Sequence, residues 1–232
     1  MSDLAASTVT RASGSSVRST ARALAGLGVA VATMLSISGL VVLVFFNPLW
    51  FDIAQRRAGS DRLTGYPMGE VSRVTDAMIS EIYLGPGTFE MTVEGRPVLN
   101  PRERSHMADV RAVYGRFLVA VGAGIVVLVG AAIVGRRREW FWRGVAVGSG
   151  VLLVVGSIVG AVFVVAFDAA FELFHELFFP AGSFNFDPSE ERLVQIFPEQ
   201  LWVETSTAIA IVGLALSLGM LVLARRRLRT AR

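Results

Sequence analysis

The histidines of this chain, His106 and His175, are its candidate acid–base groups. Glu103 and Asp109 flank His106 at a spacing of three residues, and Glu172 precedes His175 at the same spacing. Residues three apart share one face of a helix, so a carboxylate there can hold an imidazole in one tautomer and raise its basicity. Histidine is also the side chain whose charge changes near neutral pH. The pattern therefore predicts a proton-transfer site.

The same residues allow two other interpretations. Histidines with polar helical neighbours are commonly solvated surface residues. The pairs His106-x-x-Asp109 and Glu172-x-x-His175 also offer two nitrogens and two oxygens, a donor set that suits zinc or iron. The chain has no His-Glu-x-x-His motif. We expect the histidines to act without a metal ion and expect no cofactor.

The usual enzyme nucleophiles are missing or poorly placed. Cysteine is absent, and all 22 basic residues are arginine, which argues against a thiolate or a lysine Schiff base. Ser105 adjoins His106, but adjacent side chains on a helix diverge, and no Gly-x-Ser-x-Gly elbow occurs. Arg111 is open to two interpretations, an interfacial arginine that reaches the headgroups or a partner for an oxyanion.

Long apolar runs surround these residues in the chain. Apolar residues make up 53% of the sequence and charged residues only 18%, against roughly 25% charged in soluble domains. Four runs are each long enough to cross a bilayer, which takes about 17–25 residues, and they are continuous and do not alternate. The sequence predicts an all-α polytopic membrane protein with four transmembrane helices. Its two extracytoplasmic segments are expected to contain short amphipathic helices.

The arginines orient these spans. Twelve of the 22 arginines, but only 2 of the 19 acidic residues, lie before the first run, between the second and third, or after the fourth. The positive-inside rule therefore predicts cytoplasmic termini. The predicted segments are a disordered cytoplasmic tail (1–22), transmembrane helices (23–46, 117–134, 144–167 and 205–224), extracytoplasmic segments (47–116 and 168–204), a cytoplasmic loop (135–143) and a cytoplasmic tail (225–232).

Local patterns predict the elements that carry the histidines. Apolar residues at helical spacing predict an amphipathic helix over 68–84, and alternation over 89–95 predicts a short strand or hairpin. Asn100-Pro101 with Glu103 is a strong helix start, and this helix is expected to run into the second span. Around His175, either the third span extends outward or a separate short helix lies at the interface. Glycines and Ser149 in the third span are expected to permit close helix packing.

The segment after His175 is unusually aromatic for an external loop. Phe184, Phe186, Phe197 and Trp202 are expected to lie in the headgroup layer or to cover a lipid-sized cavity. The basic runs flank apolar segments and do not form a patch with interleaved aromatics, so no nucleic-acid partner is predicted. Membrane lipid is the expected surrounding partner.

Two stretches of the chain resemble signature regions of the lipoprotein intramolecular transacylase (Lit) family of small bacterial membrane proteins. The first stretch is Glu103-Arg-Ser-His106-Met-Ala-Asp109-Val-Arg111. The second contains Phe174-His175-Glu-Leu-Phe-Phe179, Phe184-Asn-Phe186-Asp187-Pro188 and Ile196-Phe197-Pro198-Glu199. The order of the motifs, the four spans and the separation of the histidines also agree, over roughly residues 25–220.

The resemblance implies an acyl transfer at the outer leaflet of the bacterial cytoplasmic membrane. The substrates would be diacylglyceryl-modified lipoproteins, whose sn-2 acyl chain moves to the α-amino group of the N-terminal cysteine. His106 and His175 match the family's histidines and are carried over as catalytic candidates. Glu103, Asp109 and Arg111 are carried over as supporting residues, and the spacing adds Glu172 to that group.

Two alternative functions remain at this point. One is a metal-dependent membrane hydrolase that uses the same histidines and carboxylates. The other is a non-enzymatic membrane protein that assists assembly or binds lipid. The nearly uncharged interiors of the four runs argue against an ion pathway.

Overall fold

The computed structural model describes residues 19–230. In chain order its elements are α1 (Ser2–Phe45, described from Ser19), α2 (Pro48–Ala58), α3 (Ser60–Thr64), α4 (Met68–Tyr83), β1 (Thr92–Val93), β2 (Arg96–Pro97), α5 (Pro101–Gly135), α6 (Glu139–Val165), α7 (Phe167–Phe178), α8 (Arg192–Ile196) and α9 (Glu199–Thr230). The predicted tail of residues 1–22 lies almost wholly outside the described residues, so it stays a prediction.

Four helices of the described chain, α1, α5, α6 and α9, are long and apolar enough to cross a membrane. Helices α5 and α9 contain the whole of their predicted runs, α1 and α6 contain all but the last one or two residues of theirs, and the predicted fold class is confirmed. An α-helix satisfies its backbone hydrogen bonds within itself, which is why continuous apolar runs form helices in lipid. The exact residues at which each helix enters and leaves the bilayer stay predictions.

Helix α5 begins as its sequence predicts. The side-chain oxygen of Asn100 accepts hydrogen bonds from the backbone N–H groups of Arg102 and Glu103, at 2.8 and 2.9 Å. In return, the Glu103 carboxylate accepts from the Asn100 N–H at 2.6 Å, which completes a capping box. The helix then continues without a break to Gly135, so His106 lies on an N-terminal extension of the predicted second span.

The predicted amphipathic helix and hairpin are both present. Val71, Val74 and Met78 of α4 are buried, and the helix ends at Tyr83. Strands β1 and β2 pair antiparallel, with Val93 opposite Arg96. Glu94 and Gly95 form the turn between them with positive φ angles of 51° and 75°, a conformation that glycine adopts without steric cost.

The third span does not extend through His175. Helix α6 ends at Val165, and α7 begins at Phe167 as a separate helix of 12 residues. Ala166, between them, has φ −141° and ψ 57°, outside the helical region. The sequence left two possibilities for this segment, and the structure selects the separate short helix.

Backbone contacts divide the chain into two compact units. Unit 1 consists of Met1–Ser38, Val121–Val154 and Leu214–Arg232, and unit 2 of Gly39–Ala120 and Val155–Gly213. In unit 1, a buried cluster of Val29, Phe141, Val145 and Ala224 holds the helices together. The helix backbones approach closely at Gly144 and Gly148, as the small residues of the third span predict.

Unit 2 carries both histidines and has its own buried core. One cluster packs the apolar face of α4 against Phe89, Met91 and Ile196. A second joins α2 to the start of α9 through Phe51, Ala54, Ile79 and Leu201. The short elements of unit 2 therefore pack on one another and on parts of α5 and α9.

Gly148 provides a direct test of close packing in unit 1. A Cβ atom at this position would collide with the carbonyl oxygen of Ala30, which belongs to a helix backbone and has no flexible end to yield. We expect Gly148→Ala to lower the free energy of unfolding by about 1–3 kcal/mol, the usual cost of overpacking. Thermal unfolding in detergent measures this. Gly150→Ala is the matched control, because a Cβ there meets no atom within 4 Å; equal melting temperatures for the two variants would refute the contact.

Candidate active site

The structure brings the two histidines together. His106 lies in the second turn of α5 and His175 in the last turn of α7. Their ring centroids are 6.1 Å apart, and the ring planes are inclined by 24°. Both residues are buried, with exposed fractions of 6% and 8%. The prediction that distant helices place both imidazoles at one site therefore agrees with the geometry.

Phenylalanine rings enclose the two imidazoles. The Phe186 ring lies 5.3 Å from His106, and the Phe184 ring lies 5.2 Å from His175. Phe179 contacts both histidines, at 4.9 and 5.4 Å. From within α7, Phe171 and Phe174 contact His175 at 4.0 and 5.4 Å. The two imidazoles are therefore surrounded by apolar rings.

A backbone hydrogen bond orients His175. Its Nδ1 lies 2.7 Å from the carbonyl oxygen of Phe171, one turn earlier in α7. A carbonyl only accepts, so Nδ1 must be the protonated nitrogen, and Nε2 of the neutral ring is then free to take a proton. Burial lowers the pKa of His175 below the ordinary value of a histidine, although this hydrogen bond acts in the opposite direction. His175 is therefore neutral at physiological pH.

One ring nitrogen of His106 lacks a hydrogen-bond partner among the described residues. Its Nδ1 is buried and has no hydrogen-bond partner within the described part of the chain. Buried polar atoms are nearly always paired in folded proteins, so this unpaired nitrogen is an exception.

The lowered pKa of His175 predicts a pH dependence of stability. Because the unfolded state takes up a proton near pH 6.5 and the folded state only at lower pH, the free energy of unfolding falls as the pH drops through this range. We expect the free energy of unfolding of His175→Gln to fall less than that of the unaltered protein over the same drop in pH. Melting temperatures of both proteins at pH 7.5 and pH 5 give the comparison. Identical pH dependence in the two proteins would contradict a neutral, buried His175.

The carboxylates near the histidines do not hold the imidazoles. Glu103 is only 1% exposed, and its two oxygens accept from the N–H groups of Asn100 and Leu193, each at 2.6 Å. Within residues 19–230, neither Asp109 nor Glu172 hydrogen-bonds to a histidine. The expected carboxylate–imidazole pairs are therefore wrong. Buried backbone N–H groups at helix starts must be satisfied, and they take the Glu103 carboxylate.

Arg111 does not face the histidines. Its guanidinium donates to the carbonyl oxygens of Gly85 and Pro86, at 2.6 and 3.3 Å. It lines a groove of about 560 Å³ together with Tyr83 and Arg116, and neither histidine lines that groove. Of the two interpretations of Arg111, the oxyanion partner has no support in these contacts. Its five-residue offset from His106 turns it to another face of the helix.

A different arginine, Arg102, lies beside the site. Its guanidinium stacks on Phe186, 4.9 Å from the ring centroid, and Phe186 in turn contacts His106. Arg102 is not among the site residues that the sequence patterns predict. The available signal was its position four residues before His106, which places both on one face of a helix.

The four aromatic residues expected at an acyl site fall into two groups. Phe184 and Phe186 contact the imidazoles, and their role at an acyl chain stays a prediction. Phe197 and Trp202 instead pack on Phe51 in the core of unit 2, at 5.4 and 6.2 Å. Trp202 approaches the site only through Phe171, at 6.5 Å. The apolar character of the segment is thus divided between the site and the core.

The site holds acid–base groups without a cluster of metal ligands. Within residues 19–230, no three His, Asp or Glu side chains are grouped so that they could hold a metal ion. Two imidazoles in an apolar enclosure can shuttle a proton between a substrate nucleophile and a leaving group. The arrangement suits a reaction whose nucleophile belongs to the substrate.

Comparison with known proteins assigns the family. The family model described as "Lipoprotein intramolecular transacylase Lit" matches residues 27–202. The fold is similar to a solved structure of the membrane-integral lipoprotein intramolecular transacylase Lit from Bacillus cereus, with a TM-score of 0.78, 20% sequence identity, and coverage of 91% of this chain and 98% of that chain.

Two variants of the Bacillus cereus protein, each with one histidine replaced, are similar to this chain at TM-scores of 0.71 and 0.70. Each is 18% identical to this chain and covers 94% of it, with 96% and 98% of the variant chain aligned. No curated protein matches the chain. The family match extends over three quarters of the sequence and includes both histidines, and the chain belongs to the lipoprotein intramolecular transacylase (Lit) family.

Proposed function

We propose that this membrane protein moves the sn-2 acyl chain of a diacylglyceryl-modified lipoprotein to the α-amino group of the lipoprotein's N-terminal cysteine. The observation that carries the proposal is the buried pair His106 and His175, enclosed by phenylalanine rings in a chain of the Lit family. The product is a lyso-form lipoprotein with an N-acyl group and an S-monoacylglyceryl group. The metal-dependent hydrolase and the non-enzymatic alternative are not favoured, because the family is one of transacylases.

The two imidazoles supply the proton transfers of this reaction. The substrate amine, whose pKa is about 7.7–8.0, attacks the ester carbonyl, so the C–N bond forms while the amine loses a proton. One imidazole takes that proton, and a proton passes to the glyceryl oxygen as the ester C–O bond breaks. Each imidazole offers a nitrogen for these steps. Nε2 of the neutral His175 is unprotonated, and Nδ1 of His106 has no hydrogen-bond partner among the described residues. No atom is exchanged with solvent.

Proximity supplies much of the rate in this scheme. The amine and the ester belong to one molecule, and well-oriented intramolecular reactions reach effective molarities of about 10⁵–10⁸ M. The enzyme then has to fold the head of the substrate so that its amine meets its own ester. The phenylalanine enclosure supports this role, because it offers apolar walls to an acyl chain directly at the imidazoles.

We place the reaction at the outer leaflet of the bacterial cytoplasmic membrane, with both termini in the cytoplasm. The support is the excess of arginine in the three segments predicted to be cytoplasmic. Both histidines belong to segments predicted to lie outside, near the ends of apolar runs. A lipoprotein anchored in the outer leaflet would present its ester and its amine at that depth.

The function is tested by expressing the protein in bacteria together with a diacylglyceryl lipoprotein and fragmenting that lipoprotein in a mass spectrometer. An intramolecular transfer leaves the total mass unchanged, so fragmentation must locate the acyl chain on nitrogen and not on the glyceryl group. A hydrolase would instead lower the mass by one acyl chain. If both acyl chains stay on the glyceryl group although the protein is present in the membrane, the proposal is refuted.

The topology has its own test. A reporter enzyme that is active only outside the cytoplasm is fused behind Arg229 or inserted within residues 181–189. We expect activity from the insertion and none from the C-terminal fusion, because the arginine runs stay on the cytoplasmic side. Activity of the C-terminal fusion would show that the predicted orientation is wrong and that the histidines do not lie at the outer leaflet.

A further inference from the structure

We infer that Arg102 is a positioning residue that holds the wall of the acyl site against the two imidazoles. That wall is the segment between α7 and α8, residues 179–191, referred to below as the wall segment. The inference rests on the proposed function, which defines what the wall receives. It assigns to Arg102 a role in substrate binding.

Arg102 contacts the wall segment at four residues. One terminal nitrogen, Nη2, donates to the carbonyl oxygens of Gly182 and Asn185, the first at 3.2 Å. The other, Nη1, lies 3.4 Å from a carboxylate oxygen of Glu191. The plane of the guanidinium covers the Phe186 ring at 4.9 Å from its centroid. A planar group with five N–H donors can make all of these contacts at once.

The wall segment brings aromatic rings to the imidazoles without a helix or strand to hold them. It carries Phe186 against His106 and Phe184 against His175. Apart from turns, its backbone has no regular secondary structure. Carbonyl groups in such a segment have no helix or strand partner and bond to side chains or to water. Arg102 supplies the donors at Gly182 and Asn185, on either side of Phe184.

The neighbouring residue, Glu103, has a different task. Its buried carboxylate binds the N–H of Leu193, beyond the end of the wall segment, and thereby ties α8 to α5. The Arg102 side chain, by contrast, is 47% exposed. Removal of an exposed side chain opens no cavity in the core, so the fold is expected to persist without Arg102. Two adjacent residues of α5 therefore have different roles: Glu103 stabilises the fold, and Arg102 holds the wall segment.

Loss of Arg102 should weaken substrate binding more than it slows the chemistry. If the wall segment leaves its closed position for most of the time, only the closed fraction of the enzyme binds an acyl chain, and the apparent affinity falls by that fraction. His175 keeps its hydrogen bond, because its partner Phe171 lies within α7 and not in the wall segment. A general structural defect would do the opposite, because less folded enzyme lowers the apparent kcat at unchanged KM.

The test compares Arg102→Gln with Arg104→Gln. Arg104 is a matched control on the same helical turn, and it pairs with Glu90, outside the wall segment. With a synthetic diacylglyceryl lipopeptide in detergent micelles, we expect Arg102→Gln to raise KM about tenfold or more while kcat stays within about threefold, the loss expected for charge-assisted hydrogen bonds. Arg104→Gln should leave both constants unchanged. An unchanged KM in Arg102→Gln, or an equal rise in both variants, overturns the inference.

Two further measurements separate this inference from the proposed function. In the Phe186→Leu background, the rise in KM caused by Arg102→Gln should be smaller, because the two residues act through one contact. If the rise is as large as in the unaltered protein, Arg102 does not act through Phe186, which contradicts the inference. Amide hydrogen exchange of residues 182–191 should be faster in Arg102→Gln than in the unaltered protein. Equal exchange rates would show, without any activity measurement, that Arg102 does not hold the wall segment. If the unaltered protein converts no substrate, the proposed function fails, while the exchange result still decides the role of Arg102.

Discussion

Replacement of His106 or His175 by glutamine is expected to lower the rate of lyso-form production by about 10²–10⁴-fold, the usual cost of a lost acid–base step. Glutamine keeps a similar size and can hydrogen-bond, but it cannot exchange a proton near neutral pH. Because both rings lie in one enclosure at 6.1 Å, they are expected to act as a unit. The double variant should therefore be little slower than either single variant.

Conversion is measured in membranes at matched protein levels, with Glu176→Gln as the control. Glu176 adjoins His175 on α7 but is exposed, so its loss should change the rate by less than about twofold. Near-normal conversion by His175→Gln would return His175 to the role of an ordinary buried residue. If both single variants stay active, the proposed site is misplaced.

Replacement of Glu103 by alanine is expected to lower the free energy of unfolding by about 3 kcal/mol or more. The buried carboxylate accepts two backbone hydrogen bonds, at 2.6 Å each, and a hydrogen bond to a charged group contributes about 1.5–3 kcal/mol. Without it, the N–H groups of Asn100 and Leu193 lose their partner. The loss therefore affects the start of α5 and its connection to α8 at once.

Unfolding in detergent by heat or denaturant measures the Glu103 effect. Glu90→Ala is the control, because Glu90 forms an exposed ion pair with Arg104, and such pairs contribute about 0–1 kcal/mol. Glu103→Ala should melt well below Glu90→Ala. If the two variants are equally stable and Glu103→Ala loses only activity, the carboxylate would belong to the chemistry of the site, as the family resemblance first implied.

The sequence determined the membrane character of this protein and the starts of its helices. Four continuous apolar runs have to form helices in lipid, because no water is present to satisfy the backbone. The capping box at Asn100 and Glu103 was predictable for the same kind of reason, since both of its hydrogen bonds join residues three apart. The hairpin around Gly95 also follows from residues that are neighbours in the chain.

Only the tertiary structure decided which side chains form the site. The sequence selected His106 and His175 as residue types, but only the folded chain brings the last turn of α7 to α5, with the two ring centroids 6.1 Å apart. Spacing also assigned Glu103 to an imidazole, whereas Leu193, 90 positions away, takes its carboxylate. A backbone N–H that becomes buried at a distant helix start cannot be read from a local pattern.

The arginines and the aromatic residues illustrate the same division. Arg102 and Arg111 are both on α5, and only the path of the wall segment distinguishes Arg102, which contacts it, from Arg111, which binds carbonyls after α4. Phe186 and Phe197 are equally apolar, yet one reaches His106 and the other fills the core beside Phe51. Composition and spacing determine which residues avoid water or ionise, whereas the partners of each side chain depend on segments that meet only when the chain has folded.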